Sequence, residues 1–115
     1  MKIEQLGKST GAENEILNIL TEECSEVIQS VSKVFRFGWD SCNPSNPEYT
    51  NREHMTEEIG DLLCMVKILI AKGIIDQDAV NLYTEKKLTK LKKYSGIDLS
   101  YIDRSHYDQR SHYEH

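Results

Sequence analysis

Helix breakers are scarce in this chain of 115 residues: it has two prolines and six glycines. Both prolines, Pro44 and Pro47, fall in one short stretch. That leaves long segments on either side free to be helical. Cysteine is sparse too. Cys24, Cys42 and Cys64 form no CxxC pair and are odd in number. A disulfide framework and a zinc knuckle are therefore excluded, and a reducing, cytoplasmic setting is expected. No apolar run approaches the roughly 18 residues of a membrane span. The opening MKIEQLGKSTGAENE lacks the apolar stretch of a signal peptide. A basic excess is missing as well. Fourteen Lys and Arg stand against nineteen Asp and Glu, a formal net charge of −5. That argues against a nucleic-acid polymer as partner. What is present is 38% apolar residues, enough for a folded domain.

The charge is uneven along the chain. Residues 1–61 carry twelve acids and five bases, whereas residues 62–97 carry three acids and seven bases. Apolar residues at Ile16, Leu20, Cys24, Val27, Val31 and Val34 have helical spacing, which predicts a helix over 12–37. Thr10 with Glu13 three residues on forms a capping box, and Gly38 is the stop. Residues 38–49 form a loop holding the chain's single tryptophan, Trp39. A second helix is predicted over 50–72, ending at Gly73. A third follows Asp76 as N-cap and runs to Tyr94. Cys24 and Cys64 fall within the apolar patterns and are expected to be buried free thiols. The reading is all-α: a helical bundle with two long antiparallel helices and a shorter third, oligomerising through helix packing. Residues 1–96 form the domain and residues 97–115 a polar C-terminal tail. That tail repeats Arg-Ser-His-Tyr at 104–107 and 110–113 and holds His106, His112 and His115.

Two segments concentrate carboxylates. Thr21-Glu-Glu-Cys-Ser-Glu26 and Thr56-Glu-Glu-Ile-Gly-Asp61 each place two acids at i and i+3, one turn apart on one helix face. At about 100° per residue, Glu23 lies at the edge of its helix's apolar arc, beside Ile16. Glu58 falls inside the next arc, between Met65 and Leu69, and Asp61 lies just beyond its edge. An ionised carboxylate in such a place needs compensation. Packing the two helices brings the acids close, and like charges at that range raise pKa values or demand a cation. Hard oxygen ligands suit magnesium, manganese or calcium rather than zinc. The calcium-loop pattern of sensor proteins is absent.

Basic groups offer the opposite sign. The third helix ends in a lysine-rich stretch, with Lys87 on its apolar side and Lys90 on the strip shared with Lys86 and Lys93. Lys33 and Arg36 follow the first acidic pair. All four named for binding, Lys33, Arg36, Lys87 and Lys90, are candidates for phosphate contact, while macrodipole and stem-packing roles stand beside that reading.

The motif Glu22-Glu23-Cys-Ser-Glu26 resembles the EExxE motif of the all-α, MazG-like nucleoside triphosphate pyrophosphohydrolases. Glu58-Ile-Gly-Asp61-Leu-Leu resembles their ExxD motif, and the lysine-rich stretch their third motif. The resemblance spans roughly residues 12–95. It implies hydrolysis of (d)NTPs to the monophosphate and pyrophosphate by a homodimer or homotetramer. It implies Mg2+ as cofactor, with Mn2+ as a substitute, on Glu23, Glu26, Glu58 and Asp61. Glu22, or another carboxylate of the cluster, would activate water. The third motif here lacks the asparagine that many relatives carry. Trp39 and Tyr49 are candidates for stacking on a base. Two alternatives stand beside this reading: a phosphoribosyl-ATP pyrophosphatase, and a non-catalytic helical interaction module.

Overall fold

The structure is a computed structural model and describes residues 7–102. It contains three helices, α1 (Gly11–Phe37), α2 (Asn51–Ala71) and α3 (Gln77–Tyr94). Among the described residues there is no strand, only a single antiparallel bridge between Cys42 and Thr50. The all-α expectation therefore holds, and each predicted helix forms within two residues of its predicted bounds.

Local chemistry sets those bounds. Thr10 caps α1 by accepting from the Glu13 amide, and Glu13 reaches back to the Thr10 amide. The capping box holds the Glu13 carboxyl below the usual range, first through the bonds to Thr10 and last through the charge of Lys72. Thr50 caps α2 through the Glu53 amide, and Asp76 caps α3 through the Ala79 amide. Gly38 ends α1 at φ 90° and Gly73 follows α2 at φ 74°, a region that glycine enters without steric cost.

The described residues form two compact units, divided between Ile74 and Ile75. In the first, α1 and α2 pack as a hairpin. Along each helix a row of buried and half-buried positions follows alternating steps of four and three. Along α1 these are Ile16, Leu20, Glu23, Val27, Ser30 and Val34; along α2 they are Asn51, Met55, Glu58, Leu62, Met65 and Leu69. That spacing is the apolar seam of a two-helix coiled coil. Met65 and Leu69 are buried, and Ser30 is fully enclosed, its hydroxyl donating to the Val27 carbonyl. Glu23 and Glu58 occupy one position each of this seam. Glu23 therefore lies nearer the centre of the interface than the wheel predicts.

The expectation of buried thiols is overturned. Cys24 and Cys64 are exposed and Cys42 is half-buried. Cys24 follows Glu23 and Cys64 precedes Met65, so each sits about 100° around its helix from a seam position. The loop joining the helices is clasped at both ends. The Asn51 and Arg52 amides donate to the Ser41 and Trp39 carbonyls. Arg52 pairs with Asp40 at 3.1 Å and lies 5.0 Å over the Trp39 ring.

The second unit is built on α3. Within it Leu99 is buried, so packing continues beyond the end of that helix. The repeat with His106, His112 and His115 lies outside the described residues.

Candidate metal centre

The hairpin brings the two acidic motifs together at one level of the seam. Oxygens of Glu23, Glu58 and Asp61 all lie within 4.8 Å of one another. The i and i+3 spacing on α2 turns Glu58 and Asp61 to the same side, and the seam sets Glu23 across from them. The Glu58 side chain keeps only 13% of its exposure, and its Oε1 lies 3.2 Å from His54 Nε2, one turn earlier on α2. Glu23 is half-buried and Asp61 is exposed. Desolvation, followed by the charges of Asp61, Glu58, Glu26 and Glu22, pushes the Glu23 carboxyl above the usual glutamate range.

Three hard oxygen donors, one side open to solvent and a mutual repulsion that raises a carboxyl pKa are what a divalent cation of the magnesium class fits. Of the four acids expected as ligands, three converge. Glu26 is exposed and lies outside the trio, close enough for its charge to act on Glu23, as does that of exposed Glu22.

The basic and aromatic residues divide differently. Lys33 lines a cleft of about 510 Å³ between the end of α1, the loop and the start of α2. Tyr49 and His54 line it as well, so His54 joins cleft to carboxylates. The Tyr49 hydroxyl donates to Glu57, and that bond, with burial and the charges of Glu57, Glu58 and Glu53, pushes its pKa up to about 12. Trp39 is not among the residues lining the cleft; its ring lies under the Arg52 guanidinium. Arg36 is outside it too, exposed, with its guanidinium 5.1 Å from the Phe37 ring centroid. Lys87 and Lys90 are exposed on α3 in the second unit.

The model of the MazG nucleotide pyrophosphohydrolase domain matches residues 12–94, which include both acidic motifs and the lysine-rich stretch. The chain belongs to the MazG family. No curated protein and no solved structure matches it. The MazG domain is thus the framework within which the carboxylates are read.

His54 is the residue that sequence reasoning missed. Its signal is present in the chain: it precedes Glu58 by four, the spacing at which helix side chains meet. It escapes notice because it falls between the two acidic motifs, just before the second begins.

Proposed function

We propose that this MazG domain hydrolyses nucleoside or deoxynucleoside triphosphates to the monophosphate and pyrophosphate in a magnesium-dependent reaction. The observation that carries the reading is the convergence of Glu23, Glu58 and Asp61 oxygens within 4.8 Å. These three residues would hold the ion, and Glu26 adds negative charge beside them. Magnesium, when bound, supplies the positive charge that neutralises the polyphosphate and favours deprotonation of water, and manganese can take its place.

The chain's own residues do the rest. His54 fixes one Glu58 oxygen and so limits the rotamers of that side chain. Exposed Glu22, beside the trio on α1, accepts the proton of the attacking water on a carboxylate oxygen. The water oxygen bonds to the α-phosphorus, the bond from phosphorus to the bridging oxygen breaks, and pyrophosphate leaves with the electron pair. Charge stabilisation is the larger share of the protein's contribution.

Pyrophosphate release from a panel of canonical and modified nucleotides, phosphoribosyl-ATP included, with and without magnesium, tests the proposal. Glu58→Gln and Asp61→Asn should each abolish release while circular dichroism shows an intact helical fold. Full turnover in both variants would overturn the assignment.

The working form is proposed to be a homodimer or homotetramer. Ile28, Phe35 and Leu63 on the hairpin are 69%, 87% and 53% exposed, more apolar surface than a monomer keeps without a purpose. Light scattering that gives the mass of one chain at micromolar concentration would contradict it.

A further inference from the structure

The cleft at the closed end of the hairpin has no part in the chemistry described above, yet it adjoins it. Its volume of about 510 Å³ is that of a small-molecule site. His54 lines it and lies 3.2 Å from Glu58. Lys33 lines it too, ten residues beyond Glu23 on α1, about 15 Å along the axis. The ammonium of Lys33 is accompanied there by carboxamides, hydroxyls and rings rather than by further Lys or Arg. A phosphate pocket gathers cations or backbone amides. One ammonium among carboxamides and aromatic faces instead suits a heterocycle.

The carboxamides have fixed polarity. Asn51 Nδ2 donates to the Gly38 carbonyl, which can only accept, so Asn51 Oδ1 is left as an acceptor. Asn43 Oδ1 accepts from the Ser45 amide and hydroxyl, so its amino group is left as a donor. The Tyr49 hydroxyl is engaged with Glu57, which leaves its ring as an apolar face tilted against His54 at 5.7 Å.

We infer that the cleft binds the nucleobase, and that it selects bases with a lactam edge, a carbonyl beside a ring N–H, as in guanine, hypoxanthine, uracil and thymine. This rests on the hydrolase reading for the placement of the phosphates at the carboxylates. The Lys33 ammonium and the Asn43 amino group donate to the carbonyl, and Asn51 Oδ1 accepts from the ring N–H. Adenine and cytosine reverse the pattern, turning an amino donor toward the ammonium and a ring nitrogen acceptor toward Asn51 Oδ1. A cation recognising the carbonyl edge of guanine follows the same logic in DNA readout.

The test compares GTP, ITP and UTP with ATP and CTP, and separately the binding of GMP, UMP, AMP and CMP to the metal-free full chain by calorimetry. The wild type should favour the lactam bases about tenfold in kcat/KM. In Lys33→Met the ratio of GTP to ATP kcat/KM should fall about tenfold, and in Asn51→Leu it should fall as well. A wild type that prefers ATP or CTP, or that shows no base preference, overturns the inference. So does a Lys33→Met ratio that stays put while both values drop, which would make Lys33 a phosphate contact. If no nucleotide is hydrolysed but GMP and UMP bind at least tenfold tighter than AMP and CMP, the base site stands and the hydrolase reading falls. Hydrolysis with equal binding of all four monophosphates gives the reverse.

Discussion

Glu58→Leu should make the chain more stable and inactive at once. The Glu58 side chain is 13% exposed at a seam position flanked by Met55 and Leu62. A leucine there is nearly as buried as its neighbours, and full burial of such a side chain is worth roughly 1.5–3 kcal/mol. The change also removes the contact with His54, worth up to about 1 kcal/mol at a part-exposed site. Relief of like-charge crowding acts in the same direction as the apolar gain. The net is about 1–2 kcal/mol of added stability, in line with other replacements of buried charges by packed hydrocarbon. For a chain of this size 1 kcal/mol moves Tm by about 4 °C, so a rise of about 4–8 °C is expected in EDTA. Magnesium at a hundred times its Kd would add about 2.7 kcal/mol to the wild type and leave the variant unmoved, closing or inverting the gap. Thermal unfolding followed by circular dichroism in EDTA and in magnesium, with pyrophosphate release on the same samples, measures all three quantities. A variant that melts below the wild type in EDTA, or whose Tm climbs with magnesium as the wild type's does, would refute the reasoning.

Other perturbations have equally definite outcomes. Thr50→Ala removes the N-cap bond to the Glu53 amide and should cost about 1 kcal/mol in urea unfolding. Glu23 binds its proton more tightly in the folded chain than in the unfolded one. The stability this gives is present below the unfolded pKa and is lost as pH rises through the folded one. In EDTA the Tm of Glu23→Gln should therefore pull ahead of the wild type's as pH rises above the ordinary glutamate range, whereas a constant or shrinking difference would show that Glu23 is not strained by its neighbours. Arg52→Ala removes both the ion pair to Asp40 and the contact with Trp39. Because both partners are largely exposed, the stability loss should stay under about 1 kcal/mol, while the Trp39 fluorescence maximum should shift to the red.

Much of this molecule is legible in the order of its residues. The capping pairs Thr10–Glu13 and Thr50–Glu53, Asp76, and the glycines at 38 and 73 are local signals, and local structure obeys them. Glu58 stands out because a carboxylate interrupts an apolar arc, which a helical wheel displays directly. Glu23 is harder to place. Counting Cys24 as a core residue rotates the wheel toward Cys24 and moves Glu23 to the margin, whereas the packed hairpin uses Glu23 itself. Free thiol is small and apolar, so spacing alone cannot distinguish a buried Cys24 from an exposed one. The cleft lies furthest from view. It depends on Asn51 reaching back thirteen residues to Gly38, and on the Arg52 clasp of the loop, neither of which has a periodicity to announce it.

The two seam carboxylates also bear on how the helices choose their alignment. In the observed register Glu23 and Glu58 face each other and share one opening to water. Sliding one helix by a heptad would preserve the repeat of apolar side chains, so hydrophobicity alone discriminates poorly against it. It would, however, set Glu23 opposite Met65, or Glu58 opposite Ile16. The carboxylate so displaced would face hydrocarbon without the acid of the other helix to complete a cation-sized notch. The acids that make the hairpin less stable than a leucine seam thereby penalise its nearest competitor, and the same pair that recruits an ion keeps the helices from misaligning.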